Sequence, residues 1–125
     1  MPNTADTIVL GFLAAMELRD LEKARSYVAE DFAMSFPGDT HFTALEELVA
    51  WSKNRYRFVT KTIDNVHELA DESDAIVYCS GTLAGEWPDG SPFSSIRFID
   101  RFVVRDGKLA GQEVWNDLAE ASALR

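Results

Sequence analysis

The chain has 125 residues, 46% hydrophobic and 26% charged, which is a globular composition and excludes disorder. One domain spanning residues 1–125 is expected, large enough to fold without disulfides or metal. The net charge of −9 would repel nucleic-acid phosphates and anionic bilayers, so neither is an expected partner.

The first helix is predicted to start near Asn3 or Thr4, either of which can cap it. Ala5, Ile8, Val9, Phe12, Leu13 and Met16 then form one apolar stripe at helical spacing. Asp20 can cap a second helix whose buried side would be Leu21, Ala24, Tyr27 and Val28. Phe32, Met34 and Phe36 alternate as a short strand, ended by Pro37-Gly38-Asp39. Thr43 to Glu46 has capping-box spacing and would open a third helix, with Leu45, Leu48, Val49 and Ser52 inward and Trp51 and Tyr56 at its edges.

An antiparallel meander follows. Its strands are predicted at about 59–69, 75–87, 93–105 and 108–117. Asp106-Gly107 is a hairpin turn, because both central positions need φ > 0. The fold class is therefore α+β: three N-terminal helices packed on a strongly curved, mostly antiparallel sheet, a cone-like half barrel with a pocket. Gly81, Gly85 and Gly111 are candidate bending points.

The third meander strand carries the strongest chemical pattern. Ile96, Phe98, Asp100, Phe102 and Val104 share one face. Asp100 is the single ionisable group among four apolar neighbours. Such a group either serves a site or is satisfied by backbone amides or an arginine across the sheet. Arg97, Arg101 and Arg105 alternate with Ile99 and Val103 on the opposite face, which reads as solvated or as a dimer contact. His41, in a loop before the third helix, is a candidate base. On the last strand, either Glu113, Trp115 and Asp117 face the cavity, or Gln112, Val114 and Asn116 do. Trp51, Tyr56 and Trp115 are candidate ligand platforms.

Cys79 is the only cysteine, so no intrachain disulfide can form and a cytoplasmic setting is expected. It sits in an apolar run and reads as buried and inert. The N-terminus lacks the basic region of a signal peptide. The glycines form no dinucleotide or phosphate fingerprint, and His41, His67 and Cys79 lack metal-ligand spacing. No cofactor and no metal are expected.

The order of elements is similar to the nuclear transport factor 2-like superfamily, closest to its SnoaL-like branch. The similarity runs through Arg19-Asp20-Leu21-Glu22-Lys23-Ala24, Ile99-Asp100-Arg101-Phe102, Asp106-Gly107-Lys108-Leu109 and Trp115-Asn116-Asp117. It implies a cone of sheet closed by helices around a pocket, often in a homodimer, here through the outer face of the sheet. The superfamily hosts isomerases, dehydratases, polyketide cyclases and proteins without catalysis. Its ketosteroid isomerases place a protonated aspartic acid at the position of Asp100. Their base would fall near Ser35 or Phe36 and their tyrosine near Phe12, so that activity itself is not expected. The SnoaL-type cyclases place a proton-transfer aspartate where Asp117 stands.

The leading reading is a cofactor-free lyase or isomerase for a small, largely apolar molecule bearing a carbonyl or hydroxyl. Asp100, His41 and Asp117 would be catalytic. Trp115, Asn116, Trp51, Tyr56, Phe98, Phe102 and Phe12 would hold the ligand. The alternatives are a ligand-binding module without turnover and a dimeric adaptor whose cone is filled by side chains.

Overall fold

A computed structural model describes residues 4–125. Asn3, one of the two expected caps, lies outside that range. Helix α1 runs Ala5–Glu17 with Thr4 at its N-cap, and α2 runs Leu21–Arg25. The Asp20 carboxylate accepts from the Lys23 amide at 3.2 Å and caps α2. Strand β1 (Val28–Phe36) and the three-residue β2 (Thr40–Phe42) follow, then α3 (Leu45–Ser52). The meander is β3 (Phe58–Asp71), β4 (Asp74–Glu86), β5 (Pro92–Arg105) and β6 (Lys108–Asn116), and α4 (Leu118–Ala123) is the last described element.

The six strands form one curved, open sheet in the order β2-β1-β6-β5-β4-β3. All pairings are antiparallel except β1 with β6. Helix α1 lies across the hollow face. Its stripe of Ile8, Val9, Phe12, Leu13 and Met16 is buried as expected. Phe12 meets Phe32 and Phe102 edge-on at 5.7 and 6.0 Å, a geometry worth about 0.5–1.5 kcal/mol per pair beyond burial.

Two local expectations are corrected. Tyr27 and Val28 do not extend α2. The Tyr27 carbonyl accepts the Leu109 amide at 2.8 Å and Val28 pairs with Leu109, so Tyr27 lies in the turn before β1 and Val28 opens that strand. The helix α3 cap is Ala44, one residue later than expected. The Glu47 carboxylate accepts the Ala44 amide at 3.3 Å, and Glu46 instead pairs with Arg25 at 2.5 Å. Helix α4 and strand β2 carried no sequence signal strong enough to anticipate.

The curvature is built from bulges. Asp64 is an extra residue in β3 between the pairs Ile63 with Gly81 and Asn65 with Ser80. Ser94 and Ser95 together oppose Ala84 of β4, and Ser95 adopts φ +60. Ala110 is extra in β6. A side chain on Gly81 would bring its Cβ to 1.9 Å from the Thr62 carbonyl, so only glycine permits the β3 bulge to approach this closely. The Asp106-Gly107 turn has φ of 52 and 74, as its residues require.

Candidate functional site

The hollow of the sheet holds a cavity of about 270 Å³, so the cone is not packed solid. Helix α1 roofs it with Leu10, Phe12, Leu13 and Met16, and α3 adds Leu48 and Trp51. Val59, Lys61 and Ile63 of β3 line one wall, and Gln112, Val114 and Asn116 of β6 line the other. Tyr56, Arg55 and Leu118 border it as well. The lining is thus mainly apolar, with a few polar side chains, which is the usual make-up of a small-molecule site.

Asp100 sits on the inner face of β5 and is fully buried, as the alternation of that strand dictates. Its partner is neither a backbone amide nor an arginine. Lys61 Nζ donates to Asp100 Oδ2 at 2.5 Å. The lysine reaches across β4 from β3, above the Phe98 ring at 4.7 Å. Asp100 itself does not line the cavity, whereas Lys61 does. Asp100 is therefore an acceptor behind the wall, and the lysine is what a cavity occupant would meet. This corrects the expectation of an aspartic acid donating directly into the pocket. Asp100 Oδ1 and Gln112 Oε1 are buried without a hydrogen-bond partner among the described residues.

Lys61 was not anticipated, although the signal existed. Val59, Lys61 and Ile63 alternate as Phe98, Asp100 and Phe102 do, one base on an oily face to match one acid. Cys79, the β4 residue opposite Asp100, is fully buried. Burial, with the Asp100 charge adding to it against Lys61, pushes its thiol up to about 11, which keeps it neutral and unreactive near pH 7.

The parity of the last strand is settled by Ala110. The bulge there turns Gln112, Val114 and Asn116 inward and Glu113 and Trp115 outward. Trp115 is 48% exposed beside Ile99 on the convex face, so it does not line the cavity. Asp117 lies on the outside too, where Arg97 Nε donates to its Oδ2 at 2.7 Å. His41 is turned out by the β1–β2 hairpin. Its ring nitrogens bond Ser35 Oγ at 3.1 Å and Asp39 Oδ1 at 2.8 Å, away from the cavity. His41, Asp117 and Trp115 are thus removed from the pocket. Trp51, Tyr56, Phe12 and Asn116 line it, while Phe98 and Phe102 are buried beneath its surface.

Trp51 is fixed by Phe36 and Phe42, with ring centroids 5.4 and 5.3 Å away. The Arg55 guanidinium lies 4.4 Å over the Trp51 ring. Glu17, at the end of α1, accepts the Lys61 amide at 2.8 Å and is the one acidic side chain lining the cavity among the described residues. On the convex face, Arg97, Arg101 and Arg105 pair with Asp117, Glu113 and Asp74. The arginine row is therefore outward, as its spacing required.

A curved, unclosed sheet wrapped over helices around a pocket is the nuclear transport factor 2-like cone. Within that class, the SnoaL-like domain family matches residues 9–112, and the chain belongs to it. Its fold is similar to that of TerC, crystallised with polyporic acid, at 18% identity over 94% of this chain and 95% of that one, with a TM-score of 0.76. A nuclear transport factor 2-like protein from Burkholderia thailandensis is 20% identical over 98% of both chains, with a TM-score of 0.77. IdmH from Streptomyces antibioticus, described as a candidate polyketide cyclase, is 19% identical over 97% of both, with a TM-score of 0.70. Among curated proteins none matches the sequence.

Proposed function

We propose that this chain binds a small, largely apolar molecule bearing a carbonyl or hydroxyl, and acts on it as a cofactor-independent isomerase, dehydratase or cyclase. The observation that carries this reading is Lys61, an ammonium held by a buried carboxylate and opening into an otherwise oily cavity. An ammonium fixed in such a site stabilises negative charge growing on a carbonyl oxygen as a neighbouring C–H proton leaves. Glu17 is the group proposed to take that proton. Gln112, whose buried oxygen has no donor among the described residues, would accept from a ligand hydroxyl. IdmH, described as a candidate polyketide cyclase, is consistent with carbonyl chemistry.

A dry cavity of about 150 Å³ holds benzene, so the present one suits two fused rings. The probe is 2-tetralone, a bicyclic ketone, incubated in heavy water and followed by NMR. The expected result is exchange of its α-protons well above the buffer rate, lost in Glu17→Gln and in Lys61→Met. Absence of binding would end the reading. Binding without exchange would favour the second reading, a ligand-binding module, which rests on the lack of any second acid lining the cavity among the described residues.

The same proposal has the chain working as a single domain in the cytoplasm. No described helix is long and apolar enough to cross a membrane. It also assigns the convex face to a second copy, because Leu69, Ile99 and Trp115 are 56%, 46% and 48% exposed there. Sedimentation should give twice the chain mass, and Trp115→Glu should halve it. A monomer at high concentration would discard the dimer.

A further inference from the structure

Arg55 stands apart from every other arginine. Arg25, Arg57, Arg97, Arg101, Arg105 and Arg125 each have a carboxylate within 4.0 Å, and Arg19 donates to the Met16 carbonyl at 2.5 Å. Arg55 has no acid or carbonyl partner for its guanidinium among the described residues, in a chain with 21 acids and 12 lysines and arginines. It is half-buried, held over the face of Trp51, and lines the cavity. The other charges there cancel in sum. Lys61 faces Asp100, and Arg19 and Glu17 are opposite in sign at the end of α1. The cavity therefore carries one uncompensated positive charge, inside a protein of net charge −9.

We infer that Arg55 is an anion receptor at the edge of the cavity, and that the natural ligand is an apolar carboxylate gripped there. A guanidinium presents a planar fork of N–H donors that matches a carboxylate with two parallel bonds. Stacking on Trp51 orients that fork before the ligand arrives. Burial without a partner lowers the Arg55 pKa, the direction expected of a cation awaiting a counter-ion. The assignment rests on the apolar-ligand reading above and adds a charge and a point of attachment to it.

The test compares 2-naphthoate with 2-naphthamide, a neutral molecule of nearly the same shape, by isothermal titration calorimetry. The carboxylate should bind about tenfold more tightly. Arg55→Met should bring the two probes level, and Arg55→Lys should keep part of the preference. Should Arg55→Met fail to fold, Arg55→Gln makes the same comparison. Equal affinities in the unaltered chain, or a preference that survives loss of Arg55, would overturn the assignment. If 2-tetralone binds but naphthoate shows no advantage, only the carboxylate assignment falls. If none of the three probes binds, the apolar-cavity reading falls and takes this one with it.

Discussion

Lys61→Met is expected to destabilise the fold by about 3–5 kcal/mol at pH 7, the range for stranding one member of a buried ion pair. The reason is the asymmetry of the pair. Asp100 is fully buried, whereas the Lys61 side chain keeps 22% of its exposure. Removing the lysine leaves a carboxylate with no route to water. Removing the acid leaves a lysine that can swing into the cavity and stay hydrated. Asp100→Asn should therefore cost less, about 1–3 kcal/mol. Replacing both, as Lys61→Met with Asp100→Leu, should return most of the stability, because an oily pair of similar volume needs no desolvated charge. The same double variant should lose all proton exchange with 2-tetralone. Urea unfolding at pH 7, followed by circular dichroism, measures the stabilities. A single variant as stable as the unaltered chain at pH 7 would show that the pair is not the buried contact described.

Gly81→Ala is the second large effect. The new Cβ would lie 1.9 Å from the Thr62 carbonyl and 3.1 Å from the Asp64 amide nitrogen, and both are backbone atoms that cannot rotate away. The β3 bulge would have to move, at a cost of about 1–3 kcal/mol or more. Lys61 immediately precedes Thr62, so a shifted bulge would also draw its ammonium off Asp100 and weaken probe binding. Gly111→Ala is the control. Its Cβ would find nothing nearer than 3.9 Å, and the change should stay within about 0.5 kcal/mol. Thermal melts of the two variants decide the point. Equal melting temperatures would mean that the close approach at Gly81 is not a constraint on the sheet.

These two cases mark where local reasoning works and where it stops. Strand β5 was legible because alternation is a property of the backbone itself. Once residues 96–104 are extended, Asp100 must share a face with Phe98 and Phe102, and all three are buried. The α1 stripe and the Asp106-Gly107 turn follow in the same way, from the period of a helix and from the φ values a turn demands. The burial of Cys79 in an apolar strand needed nothing more.

What lay beyond one strand at a time was decided by tertiary structure. Ala110 inserts one residue into β6 and so selects which of two side-chain sets enters the cavity, taking Trp115 out and bringing Gln112 in. No local signal marks Ala110 as the residue left out of the ladder. Tyr27 and Val28 fit a helical stripe, yet pairing with a strand some eighty residues later claimed them. Asp100 required a partner on energetic grounds alone, but its identity depended on Gly81 letting β3 bulge close enough for Lys61 to cross a strand. Period and turn chemistry are settled within a few residues, so the sequence determined which faces are oily and that one acid is buried among them. Register across bulges and the reach of a long side chain depend on residues far apart in the chain, so only the assembled sheet decided which charge answers that acid and which side chains meet in the hollow.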